Sequence, residues 1–167
     1  AIDLMEGVTA EDREDGNLTV TVTGNVDKDV AGVYVIEYSA KDSDNNTVTA
    51  KRVVVVSDDS VVVGENYIIY SKSYTIRLSE VDASDATLTT KGEVKVYDKA
   101  TGKLSNDQSV TFTKGSYTDN SPIGTYPINV SPVAESTLSA KFDVIVETGN
   151  IPEITAPAFT EVAKGST

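Results

Sequence analysis

Apolar and polar positions alternate along most of this chain with a period of two, the spacing of a strand with one wet face and one covered face. Leu18 to Thr23 places Leu18, Val20 and Val22 on one side and threonines on the other, and Gly24-Asn25 ends the run. From Val33 to Ala40 the apolar side carries Tyr34, Ile36, Tyr38 and Ala40, with Glu37 and Ser39 opposite. A polar turn over Asp42–Asn46 then leads into a return strand, Val48–Val56, whose four closing valines fit a strand leaving the sandwich rim, where both faces are partly covered. Further short strands are predicted at Val61–Val63, Tyr67–Tyr70, Tyr74–Leu78, Leu88–Thr90, Glu93–Tyr97, Val110–Thr113, Tyr126–Val130 and Leu138–Val146, with a turn at Asp98–Gly102. Pro127 cannot donate to a ladder, so it must lie where its nitrogen has no strand to face.

The pattern repeats. Gly32-Val33-Tyr34-Val35-Ile36 returns as Gly124-Thr125-Tyr126-Pro127-Ile128, and Ala50-Lys51 with Val54-Val55-Val56 as Ala140-Lys141 with Val144-Ile145-Val146. Upstream, Thr19–Thr23 is matched by Ser109–Thr113. The fold expected is all-β: two tandem immunoglobulin-like antiparallel sandwich modules, joined at Ser57-Asp58-Asp59-Ser60, a junction too short to act as a flexible linker. The boundaries read 1–57, 58–148 and 149–167, the last being the start of a following module.

Charge and composition narrow the function. The chain of 167 residues carries 26 acidic and 14 basic side chains, no histidine, and a formal charge of -12, which repels phosphate backbones and anionic lipid surfaces. Nucleic acid is thus an unsuitable partner, and no apolar run is long enough for membrane insertion of this segment. Cysteine is absent, which excludes disulfides and thiolate metal sites.

Residues 1–57 also carry a sequence signature. Gly7-Val8-Thr9-Ala10, Asp12, Asp15-Gly16-Asn17-Leu18-Thr19, Gly32-Val33-Tyr34, Tyr38 and Asp42–Thr47 resemble the bacterial surface immunoglobulin-like repeats of Gram-positive cell-wall-anchored proteins. Asn17 departs from the usual Asp-Gly-Asp turn, and Asn45-Asn46 stands in place of Gly-Asn. The resemblance covers about residues 3–56; the second module looks like a diverged relative without the Asp-Gly turn. It implies an extracellular, cell-wall-associated location and a structural stalk or spacer in an adhesin, with adjacent repeats as neighbours. The alternative is an adhesive module for a host protein or glycan. No catalytic residue or cofactor comes with it.

Three sets of residues are candidates for chemistry. Asp12, Asp15, Asn17, Asp42 and Asp44 supply hard oxygen ligands that suit Ca²⁺ if their loops converge, or else hold their own turns by accepting backbone N–H bonds. Tyr67, Tyr70 and Tyr117 are candidates for an exposed aromatic platform, or for core packing. Lys51 and Lys141 occupy equivalent positions where an isopeptide crosslink would require burial beside an Asn or Asp and a carboxylate. Carboxylates here occupy turns rather than a recognisable cleft, so no catalytic pair is assigned. Finally, residues 151–167 read as a strand able to complete module one of another chain, giving head-to-tail association.

Overall fold

The computed structural model describes residues 2–149. The expected strand-exchange tail, 151–167, lies outside the described residues. The elements are β1 (Glu11–Asp12), β2 (Gly16–Asn17), β3 (Val20–Thr23), β4 (Gly32–Lys41), β5 (Thr47–Val56), β6 (Val61–Val63), β7 (Tyr67–Tyr70), β8 (Tyr74–Arg77), α1 (Asp85–Lys91), β9 (Lys95–Asp98), β10 (Val110–Thr113), β11 (Gly124–Pro132) and β12 (Ala140–Glu147). The chain is mostly β, as its alternation requires.

β3, β4 and β5 form an antiparallel meander in which Ile36, Tyr38 and Ala40 are buried and Glu37 is exposed, the faces that alternation assigned. Val53–Val56 are each half-buried, consistent with partial cover on both faces. The segment before β1 is tied to this sheet by the Tyr38 hydroxyl, which donates to the Leu4 carbonyl at 2.7 Å, and by Arg52, which donates to the Glu6 carbonyl at 2.9 Å and lies over the Tyr38 ring.

The same meander recurs as β10, β11 and β12, and its register is the same. Gly32 pairs with Val56 and Gly124 with Val146; Tyr34 pairs with Val54 and Tyr126 with Val144; Val20 pairs with Ala40 and Val110 with Pro132. β8 joins the second meander beside β12, in parallel. This departs from the purely antiparallel expectation, and sequence gives no sign of it because β8 and β12 lie far apart in the chain.

Against this four-stranded sheet lies a three-stranded one, β6-β7-β9. Ile69 of β7 enters a common core with Ile128, Val130, Phe142, Val144 and Leu88. Its neighbour Ile68 is also fully buried, so both faces of β7 are covered. The outer backbone of β9 is covered by the segment that follows it: Leu104 bridges Tyr97, and the Gln108 side chain accepts from the Val96 N–H at 2.9 Å and donates to the Val96 carbonyl at 2.7 Å.

The predicted strand at Leu88–Thr90 is instead helix α1. Ser84 caps its first turn by accepting from the Thr87 N–H, Asp85 and Lys91 match the helix dipole at the two ends, and Leu88 is its one buried residue. At its C-terminus a Cβ on Gly92 would come within 2.5 Å of the Leu88 carbonyl oxygen and 3.1 Å of the Phe142 ring, so the chain must turn there on glycine. Pro127 is exposed and pairs with Asp143 of β12, while β10 reaches only residues 129–132 of β11, which leaves no strand on the other side at that position. Strand β11 continues through Pro132, followed by a 3-10 turn over Val133–Glu135.

Candidate functional site

The acidic loops at the end of the first meander do come together, but through hydrogen bonds. Gly16, with φ +69°, turns the chain between β1 and β2 in a conformation that favours glycine. Asp12 accepts from the N–H groups of Glu14 and Asp15 at 2.7 and 3.0 Å, and these bonds hold its carboxyl below the usual carboxylate range. Asp15 reaches the second loop, accepting from the Ser43 N–H at 2.8 Å and the Ser43 hydroxyl at 2.9 Å. Asp42 accepts from the Asn46 N–H and side-chain amide, both at 2.7 Å, while Asn45 takes a left-handed conformation with φ 73°. Asn17 pairs with Glu11 across β1 and β2, and Asp44 points to solvent. Among the described residues no three carboxylates converge on a point that could hold a metal ion.

The three tyrosines separate. Tyr67 and Tyr70 are half-buried on β7, and Tyr70 has the Lys95 ammonium over its ring. Tyr117 takes the core-packing alternative: it is 2% exposed, its ring lies 5.4 Å from that of Tyr126, and its hydroxyl donates to the Asp82 carbonyl. Burial pushes its phenol pKa up. The reason is spatial, since the loop that carries it is held against the segment before α1, where Asp119 accepts from the Ala83 N–H at 2.7 Å and Lys114 donates to the Ala83 carbonyl at 2.6 Å, a placement that local alternation does not encode.

Tyr67 borders a recess of about 750 Å³ together with Asn66, Asp98 and Lys99. Its Glu65–Tyr67 side is fixed by a contact that sequence reasoning missed. The Glu135 carboxylate accepts three successive N–H groups, from Glu65 at 2.6 Å and from Asn66 and Tyr67 at 3.1 Å each, and these bonds depress its pKa. A Cβ on Gly64 would meet the Glu135 carboxylate at 2.3 Å, so any larger residue there would displace that carboxylate from its donors. Nothing in the sequence signals this pairing, whose partners are some seventy residues apart.

Lys51 is exposed and forms an ion pair with Glu37, and Lys141 is exposed too. Neither has the burial an isopeptide crosslink requires. A second groove, of about 460 Å³, runs between Val8-Thr9-Ala10 and the Val48–Arg52 end of β5. No helix among the described residues is long and apolar enough to cross a membrane.

No curated protein matches the chain. The family model described as "Bacterial surface protein, Ig-like domain" matches residues 4–56, the stretch whose Gly-Val-Thr-Ala, Asp-Gly and Gly-x-Tyr motifs build the first meander and its acidic loops. Residues 4–56 are thus a bacterial surface immunoglobulin-like domain.

Proposed function

We propose that this chain is a non-enzymatic spacer in an extracellular, cell-wall-associated adhesin, built from consecutive immunoglobulin-like modules at residues 1–57 and 58–148. The observation that carries the reading is the recurrence of one three-stranded meander in an identical register. Such duplication extends a chain by adding similar units, each with its own strand pairing. The family match over residues 4–56 supports the surface location.

The recess beside Tyr67 favours a second reading, an adhesive module. An aromatic face next to an amide, a carboxylate and an ammonium group is suited to a sugar ring or a polar peptide. A glycan array and a surface-protein binding screen separate the two readings. The spacer predicts no saturable binding; saturable binding that is lost on Tyr67→Ala or Tyr70→Ala, with the fold retained, would overturn it.

A further inference from the structure

A four-residue connection explains why the first meander and the unit that follows it are neighbours but not what fixes their relative orientation. A chain pinned at one point can still swivel about it; a second contact, away from the first, removes that freedom. The structure has both.

The first point is the connection itself. Asp58 accepts from the Ser60 N–H at 2.8 Å, the Ser60 hydroxyl at 2.6 Å and the Val61 N–H at 3.1 Å, folding Ser57–Ser60 into a tight turn. The Asp59 carbonyl then accepts from the Lys141 N–H at 2.7 Å, and the Ser60 carbonyl from the Ser71 N–H at 2.8 Å. These residues are therefore part of the second unit's framework, and what bending remains is confined to the step between Val56 and Asp58.

The second point is the turn after β9. Asp98 shapes it by accepting from the Thr101 N–H at 3.0 Å, and the Gly102 N–H closes it on the Asp98 carbonyl at 2.8 Å. Gly102 is buried, an unusual state for a residue at a turn, because it lies against the first meander: a Cβ there would come within 2.7 Å of a Val35 methyl and 3.0 Å of a Val53 methyl. With φ +66° as well, both space and backbone conformation call for glycine. Val35 and Val53 are paired across β4 and β5, so the turn rests on one cross-strand rung of the sheet. Nearby, Lys103 adds its positive field to the Glu37 carboxylate, whose main partner is Lys51.

We propose that the Asp98–Lys103 turn is a latch that docks on the Val35–Val53 rung and locks the orientation of the first meander against the rest of the chain. It deepens the spacer reading by assigning the joint a fixed angle, and it rests on that reading only for its purpose: ligand binding tests the spacer, and joint geometry tests the latch.

The protein has no cysteine, so a pair introduced by Thr21→Cys and Thr125→Cys on exposed strand positions can be spin-labelled without background. Pulsed dipolar spectroscopy on the full chain should give one narrow distance distribution. Two substitutions then attack the contact from opposite sides. Gly102→Arg fills the contact from the turn, and Val53→Lys removes it from the sheet while leaving the turn's backbone untouched. Each should broaden the distribution and shift its mean, with the amide dispersion of both units retained. A broad distribution in the parent would overturn the latch, as would a narrow, unshifted one in folded Val53→Lys protein, since the short connection alone would then set the angle.

Discussion

Tyr34 and Tyr126 do the same thing in two different hairpins. Each stands opposite a valine, and each folds back to donate its hydroxyl at 2.8 Å to the carbonyl four residues upstream, Val30 in one case and Pro122 in the other. The ring lies beside the glycine two positions before it, Gly32 or Gly124, close enough that an added Cβ would touch it without a clash, and the ring brings the hydroxyl to the preceding loop. Replacing Tyr126 with Phe removes that one hydrogen bond and should cost about 1 kcal/mol in urea unfolding, with a similar loss for Tyr34→Phe.

Tyr74 should answer the same substitution differently. Its hydroxyl is the one buried side-chain polar atom without a hydrogen-bond partner among the described residues, and burial raises its pKa strongly. Its ring stacks on Phe142 at 6.3 Å, a contact that phenylalanine keeps. Tyr74→Phe should therefore leave stability unchanged or raise it, because it removes an unsatisfied polar group. Thermal unfolding of the two variants side by side distinguishes a useful hydroxyl from a costly one.

Ile36 and Glu37 test the face assignment of the first meander. Ile36 has 0% exposure, so Ile36→Ala should destabilise by about 2–5 kcal/mol through lost transfer energy and the cavity left behind. Glu37 engages Lys51 in solvent, and Glu37→Gln should change stability far less. Equal losses in denaturant titrations would show that the sheet faces are reversed.

Glu135 makes stability depend on acid. Its carboxyl is depressed by the three N–H groups it accepts, so the folded state binds its proton less readily than the unfolded chain does. The contribution is complete above the unfolded glutamate value and is lost as pH falls below about 4 through the folded value. Glu135→Gln offers one carbonyl oxygen and presents an N–H₂ to other donors. It should lower the urea midpoint at pH 7 and flatten the acid side of the stability profile; an unaltered profile would mean that the interaction contributes nothing net.

The strand pairings that sequence reveals are those between strands adjacent in the chain. β3 to β5 and β10 to β12 are meanders with short connections, so alternation and the repeat determine both faces and register. Helix α1 was hidden because Asp85-Ala86-Thr87-Leu88-Thr89-Thr90 has a single buried residue and no apolar stripe; its legible marks were the Ser84 cap and Gly92 at its end. The parallel pairing of β8 with β12, the burial of Tyr117 and the capture of Glu135 all depend on distant segments, which leave no local period. The acidic loops were legible as turns, and their convergence through Asp15 and Ser43 required the fold.

The placement of β12 has a mechanical consequence. Its first residues lie at the junction, where the Lys141 N–H meets Asp59, and the strand runs from there to Glu147 at the other end of the sheet. Tension applied between the junction and the end of β12 therefore acts along the strand's own axis. Because β12 is flanked by β11 on one side and β8 on the other, that pull loads two ladders in shear, and their bonds must yield together rather than one at a time.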